Sequence, residues 1–321
     1  MDLCVFTPAL KCLPFDEVLS FLNRIGIGQI ELACGGFSGK EHCDPSLLLD
    51  NPDLLSRFRD LLRAHQIEIA ALSCHGNPVH PNQDIAKRGQ EDFENAVLLA
   101  EKLGVQRIVT FSGCPGDHPG AEHPNWVVCA WPPEYSSILQ FQWQERLVPY
   151  WKKAAAFAQD HGISQIALEL HPGFSVYNPE TCLRLRAEAG TIIGANVDPS
   201  HLFWQGIDPS YAIRALGNAV HFFHAKDTYL DQSNIRINGV LDAKPYTEIP
   251  NRAWTFRTAG LAHGSTTWNQ IFYALRLAGY NGPVSIEQED PLLNAQEGIK
   301  KSVSFLSSIL LENPPGQIWW A

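Results

Sequence analysis

The chain has 321 residues, 45% hydrophobic and 18% charged, the balance of a soluble globular protein and not of a disordered one. Its formal net charge of −10 repels polyanions, which argues against nucleic acid as a partner. Eight cysteines without a C-x-x-C pair argue against a zinc ribbon or a disulfide framework and read as reduced thiols in a cytoplasm.

The N-terminal MDLCVFTPALK enters a strand-like run at once, without the basic n-region and apolar h-region of a signal peptide. No run of about 18 apolar residues follows that would span a membrane. From there, short apolar runs alternate with longer helical patterns. The predicted strands are 3–8, 29–35, 67–76, 107–113, 165–173, 191–201, 220–227 and 283–290. Each is followed by a segment with apolar residues at helical spacing, from PFDEVLSFLNRIG after the first to AQEGIKKSVSFLSSILLE after the last. Eight strands and eight helices in strict alternation predict a single-domain (β/α)8 TIM barrel over 1–321, in the size range of about 250 residues plus insertions. The first βα turn lacks G-x-G-x-x-G, which speaks against a dinucleotide-binding sheet.

Two segments break the spacing, 114–135 after strand four and 228–265 after strand seven. Long βα loops surround the mouth of such a barrel and are usually functional. Trp126, Trp131, Tyr135 and Trp254 lie on them, either as platforms for sugar rings and apolar aglycones or as packing against the rim.

Polar groups gather at the strand ends: Glu169 and His171, Asp198 and His201, His224 with Lys226 and Asp227, and Glu287 with Glu289. Side chains alternate along a strand, so Glu169 shares a face with His171, His224 with Lys226, and Glu287 with Glu289, while Asp227 points away. Burying these charges is costly unless they pair or bind a cation. One glutamate of strand five, Asp198, His224 and one glutamate of strand eight form a candidate oxygen-rich site suited to Mn²⁺, with Mg²⁺, Co²⁺ or Zn²⁺ as alternatives. Singly, each has a plainer role: Asp198 before Pro199 as a helix cap, His224 as a core histidine, Glu287 or Glu289 as an ion pair with Lys226.

The motifs LELHPG, NVDPSHLFWQGID, HFFHAKDT and VSIEQED resemble, in this order, those of the xylose-isomerase-like barrels, which include sugar phosphate isomerases, ketohexose 3-epimerases and endonuclease IV. The resemblance implies Glu169, Asp198, His224 and Glu287 as metal ligands, choosing Glu287 over Glu289, and His201 as a contact to substrate or metal-bound water. Ketohexose epimerases carry an Arg and a Glu where this chain has Leu230 and Ser175, which turns the expectation away from a free ketohexose. Endonuclease IV needs a further histidine on strand four, which VTFSGCPG lacks. NGVLDAKPY and TFRTAGLAHG resemble enzymes acting on 3-keto-glycosides, including metal-binding subunits of C-glycoside deglycosidases.

The expected chemistry is proton abstraction beside a carbonyl through a metal-stabilised enediolate, with Glu169 and Glu287 exchanging the proton and His171 as a competing base. His75, His201, Lys226 and Arg257 are candidates for holding substrate oxygens. Expulsion of a β-substituent would make the enzyme a lyase. A non-catalytic sugar-binding subunit that works with a second chain is the alternative from another class. The expected partner is a small carbohydrate, with a homo-oligomer or a second subunit as further possibilities and no membrane.

Overall fold

A computed structural model describes residues 1–320. The strands in chain order are β1 (Leu3–Phe6), β2 (Gln29–Gly36), β3 (Glu68–His75), β4 (Arg107–Thr110), β5 (Gln165–Glu169), β6 (Ile193–Val197), β7 (Val220–Ala225), β8 (Asp227–Leu230), β9 (Trp254–Arg257) and β10 (Val284–Ile286). Eight of them close into one parallel barrel in the order β1-β10-β7-β6-β5-β4-β3-β2. All eight predicted strands are therefore barrel strands, as the alternating pattern requires.

Helices begin where the sequence places Asp or Asn before Pro. Asp44-Pro45, Asn51-Pro52, Asn178-Pro179, Asp198-Pro199 and Asp208-Pro209 each put the acceptor side chain at the N-cap and proline in the first turn. The Asx oxygen satisfies a free backbone N–H, and proline has no N–H to waste there. The outer face of the barrel and the helix stripes share one continuous core that runs from Met1 to Leu306 and includes Trp151, Trp268 and Phe272.

Inside the barrel, side chains of one parity form layers. Cys4, Ala71, Val109, Ala167 and Phe222 fill an apolar layer. One pleat further toward the C-terminal ends, the inward residues become Glu31, Ser73, Glu169, Asn196, His224 and Ser285, all buried. The plug beneath excludes water from one side of this polar layer, so its chemistry faces the mouth.

The segment after β7 is structured where a loop was expected. β8 begins one residue after Lys226 and pairs antiparallel with β9, and the helix Gln232–Asn238 lies between them. Trp254 of β9 stacks on Trp204 at 4.7 Å and 5°, which fixes this excursion to the helix after β6. Asp227 points away from the barrel mouth, accepting hydrogen bonds from the backbone N–H groups of Gly260 and His263 and from the His263 ring. No helix among the described residues is long and apolar enough to cross a membrane, and none of the eight cysteines forms a disulfide.

Candidate metal centre and active site

The strand ends bring Glu169, Asp198, His224 and Glu287 together: one ligand-type atom from each lies within 4.8 Å of all the others. β5 ends on Glu169, the residue after β6 is Asp198, β7 carries His224, and Glu287 follows β10. His224 Nδ1 is 3.0 Å from Glu287 Oε2 and 3.7 Å from Glu169 Oε2. Glu169, Asp198 and His224 are buried, while Glu287 keeps a little exposure toward the mouth.

Behind His224 stands a residue the sequence reading did not single out. Glu31 of β2 is fully buried and sits 2.9 Å from His224 Nε2. Its oxygens also accept from the hydroxyls of Ser73 and Ser285. A carboxylate on one ring nitrogen holds that nitrogen protonated and leaves the other as the ligand atom, the usual support of a metal-binding histidine. The available signal was parity: Glu31 shares the inward face of β2 with Ala33, in a strand otherwise apolar at that depth.

Asp198 is both cap and site residue. Oδ1 accepts from the Ser200 N–H at 2.8 Å, closing the N-terminus of the helix Pro199–Trp204. Oδ2 lies 3.0 Å from Lys226 Nζ and 3.4 Å from His201 Nε2. Lys226, almost fully buried, also reaches Glu287 at 2.7 Å and Glu289 at 2.9 Å. Glu289 thus pairs with the lysine at the outer edge, half exposed, and Glu287 faces inward.

His75 and His201 flank Glu169. His75 Nε2 is 3.0 Å from Glu169 Oε2, and His201 Nε2 is 3.1 Å from Oε1. Both nitrogens are buried, and neither makes a hydrogen bond in its present orientation. The His171 ring lies 4.0 Å from that of His201, tilted at 53°, and its Nδ1 donates to the Pro172 carbonyl at 2.6 Å. This fixes the tautomer with hydrogen on Nδ1 and a lone pair on Nε2. Arg257 is not brought to the cluster: its guanidinium lies 3.9 Å from Asp290 and over the ring of Tyr229. The loop aromatics also lie elsewhere. Trp126 packs edge-on to Tyr177 beside a separate cavity of about 300 Å³, and Trp131 is exposed.

Charge explains why these groups need one another. Burial raises Asp198 to about 7, against the pull of Lys226. Burial alone would raise Glu169 too, but the imidazoles of His201, His75 and His224 hold its carboxyl well below the usual range. His201 is pushed down to about 3 by burial and by neighbouring His171 and Lys226, which keeps it neutral. Burial would lower His224, yet Glu31 and Glu287 raise it well above its ordinary value.

The residues present fit a divalent cation. Four carboxylates, the buried Glu31, Glu169 and Asp198 and the slightly exposed Glu287, crowd one space with Lys226 and His224 as charged partners and the imidazoles of His75 and His201 beside Glu169. Asp198 Oδ2, His75 Nε2 and His201 Nε2 are buried polar atoms without a hydrogen-bond partner around that space. Three carboxylates and one imidazole are ligands that hard or borderline divalent ions accept.

Comparison with known proteins gives the same fold. The family description "Xylose isomerase-like TIM barrel" matches residues 12–309. The uncharacterized protein YfiH of Bacillus subtilis (strain 168) is 36% identical over 312 residues, 97% of this chain and 99% of that protein. Among solved structures, the probable 3-DHS dehydratase AsbF of Bacillus anthracis, involved in petrobactin synthesis, superposes with TM-score 0.68 at 18% identity, covering 96% of this chain and 99% of that one. An L-ribulose 3-epimerase superposes with TM-score 0.62 at 15% identity, covering 97% and 95%. With its closed eight-stranded barrel and a match over nearly its whole length, the chain belongs to the xylose isomerase-like TIM barrel family.

Proposed function

We propose that the protein is a divalent-metal-dependent sugar isomerase or epimerase that moves a proton on and off the carbon beside a carbonyl of a keto-sugar or 3-keto-glycoside. One observation carries this reading: the convergence of Glu169, Asp198, His224 and Glu287 at four neighbouring strand ends. These four would hold the ion, Mn²⁺ being the best match to an oxygen-rich set with one nitrogen. When bound, a divalent ion polarises a carbonyl oxygen and makes the adjacent C–H acidic.

The chain's own residues supply the rest. Glu169 and Glu287 are the carboxylates placed to take and return the proton, and His201 and His75 offer ring N–H groups beside Glu169. Lys226 holds Asp198 and Glu287 in place and presents an ammonium to a developing oxyanion. The polar layer rests on an apolar plug, so water reaches it only from the mouth. The test is NMR in D₂O with added Mn²⁺ over a panel of keto-sugars and 3-keto-glycosides. Deuterium at the carbon next to the carbonyl, lost together with bound metal in Glu169→Gln and in His224→Ala, is the expected result. Product formed without exchange, or full activity in a metal-free variant, overturns the reading.

One observation favours a second outcome of the same first step. The Nε2 lone pair of His171 lies on the same face as Glu169, within reach of His201. A second acid-base group there suits loss of a β-substituent, a lyase reaction, and the appearance of an enone in the same assay identifies it.

A further inference from the structure

We propose that the cleft above the carboxylates holds an apolar ring carried by the substrate, so that the enzyme acts on a keto-sugar with an aryl or similarly apolar cyclic substituent and not on a free polyol. The proposal rests on the isomerase reading, which supplies the reacting end of that substrate.

The cleft measures about 480 Å³ and opens at the C-terminal end of the barrel, within the range of small-molecule sites. Two sets of aromatic side chains line it, delivered by different parts of the chain. Phe111 and Phe174 stack at 4.2 Å and 19°, with Phe37 6.3 Å from Phe111. Tyr246 and Phe256, from the excursion after β7, stack at 5.8 Å and 19°. Both sets reach the carboxylate cluster. Phe111 touches His75 and His171, while Phe256 lies edge-on to His201 and 4.6 Å from Lys226 Nζ. A molecule reacting at Glu169 and Glu287 therefore extends directly into this aromatic space.

Phe37 owes its place to glycine. Gly36 at the end of β2 has φ +63°, and a Cβ there would lie 2.0 Å from the His75 carbonyl oxygen. The left-handed turn lets the Phe37 N–H donate to that oxygen and leaves the ring 74% exposed at the cleft.

Four of the lining residues, His171, Tyr246, Thr255 and Glu289, carry polar groups, and two of them are committed. His171 Nδ1 is bound to a carbonyl and Glu289 to Lys226. Thr255 Oγ1 is the buried exception: the residue is 5% exposed and its hydroxyl has no partner, whereas Tyr246 is exposed. A free ketose would bring a hydroxyl on every remaining carbon and lose water from each without replacement. An apolar ring loses no such bonds and gains stacking area, with one oxygen served by Thr255. No lysine or arginine lines the cleft, and Lys226 at its floor is already paired with Asp198, Glu287 and Glu289.

The test compares phenyl β-D-glucoside with methyl β-D-glucoside by calorimetry on the full-length Mn²⁺-treated protein. Phenyl β-D-glucoside is expected to bind about tenfold more tightly. Phe37→Ala, at an exposed position, and Phe174→Leu, which keeps apolar volume, should each remove most of that preference while methyl-glucoside affinity stays unchanged. Equal affinity for the two glucosides, or no binding of either in the millimolar range, overturns the proposal. Phenyl preference without proton exchange in D₂O refutes the isomerase and keeps the cleft; exchange without phenyl preference does the reverse.

Discussion

Glu31 Oε2 and His224 Nε2 stand 2.9 Å apart, both fully buried, although 193 residues separate them in sequence. Since Ser73 and Ser285 hold the same carboxylate, Glu31 cannot swing away, and the imidazole is aimed at Glu169 and Glu287. Glu31→Gln keeps the size of the side chain but permits the amide to donate to Nε2, which shifts the ring proton to Nδ1. Metal affinity measured by calorimetry should then fall about 10–100-fold. ¹⁵N NMR of His224 should report the changed tautomer, and the melting temperature of the apo protein should move little.

Metal should also register as stability. An ion at about 100 times its dissociation constant adds about 2.7 kcal/mol to the folded state, roughly 5 °C in melting temperature for a chain of this size. Differential scanning fluorimetry with and without Mn²⁺ should show this rise. It should vanish in Asp198→Ala, whose own melting point in chelator falls separately because the cap on Ser200 is lost.

His221 predicts an acid limit unrelated to the site. It is buried under Gly194, where an added Cβ would lie 2.4 Å from its ring, and burial together with Arg186 pushes it down to about 4. Its folded value lies below the unfolded one of about 6.5, so the unfolded chain binds the extra proton between the two. Stability is therefore intact above the unfolded value and is lost as pH falls toward 4, by roughly 2–3 kcal/mol from this group. Urea melts at pH 7 and pH 4.5 should show a smaller drop for His221→Gln than for the parent protein.

The excursion after β7 should depend on one stack. Trp254→Ala removes the partner of Trp204 and the donor to the Val240 carbonyl, a loss of about 3–5 kcal/mol for a buried tryptophan. Limited proteolysis should then cut within 231–253 while the barrel strands stay protected from hydrogen exchange. Equal protease resistance in variant and parent would show that the excursion is held by other contacts.

How much of this could be read from sequence depends on the range of the interaction. The eight barrel strands and the parity that sets Glu169 with His171, and Glu287 with Glu289, follow from local alternation. Asp198 as a cap was equally local, and its second role needed Lys226 from another strand. Glu31 escaped because its partners lie on β3, β7 and β10, which only barrel closure brings beside β2. The same holds for Phe37, Phe111 and Phe174, three unremarkable aromatics after different strands that converge on one cleft. Arg257, expected at substrate oxygens, is drawn instead to Asp290 and Tyr229, because β8 and β9 pair in an antiparallel hairpin that the long spacing did not reveal.

β7 passes into β8 with Lys226 as the sole residue between them. The lysine that neutralises three carboxylates is thus also the hinge pin of the hairpin carrying Phe256. No longer linker separates the ionic floor from the aromatic wall, so a shift of the hairpin is expected to move the ammonium with it. Exchanging this hairpin for a relative's, in pursuit of a new substrate, would retune the acid-base groups at the same stroke, and the two properties are inherited as one mechanical part.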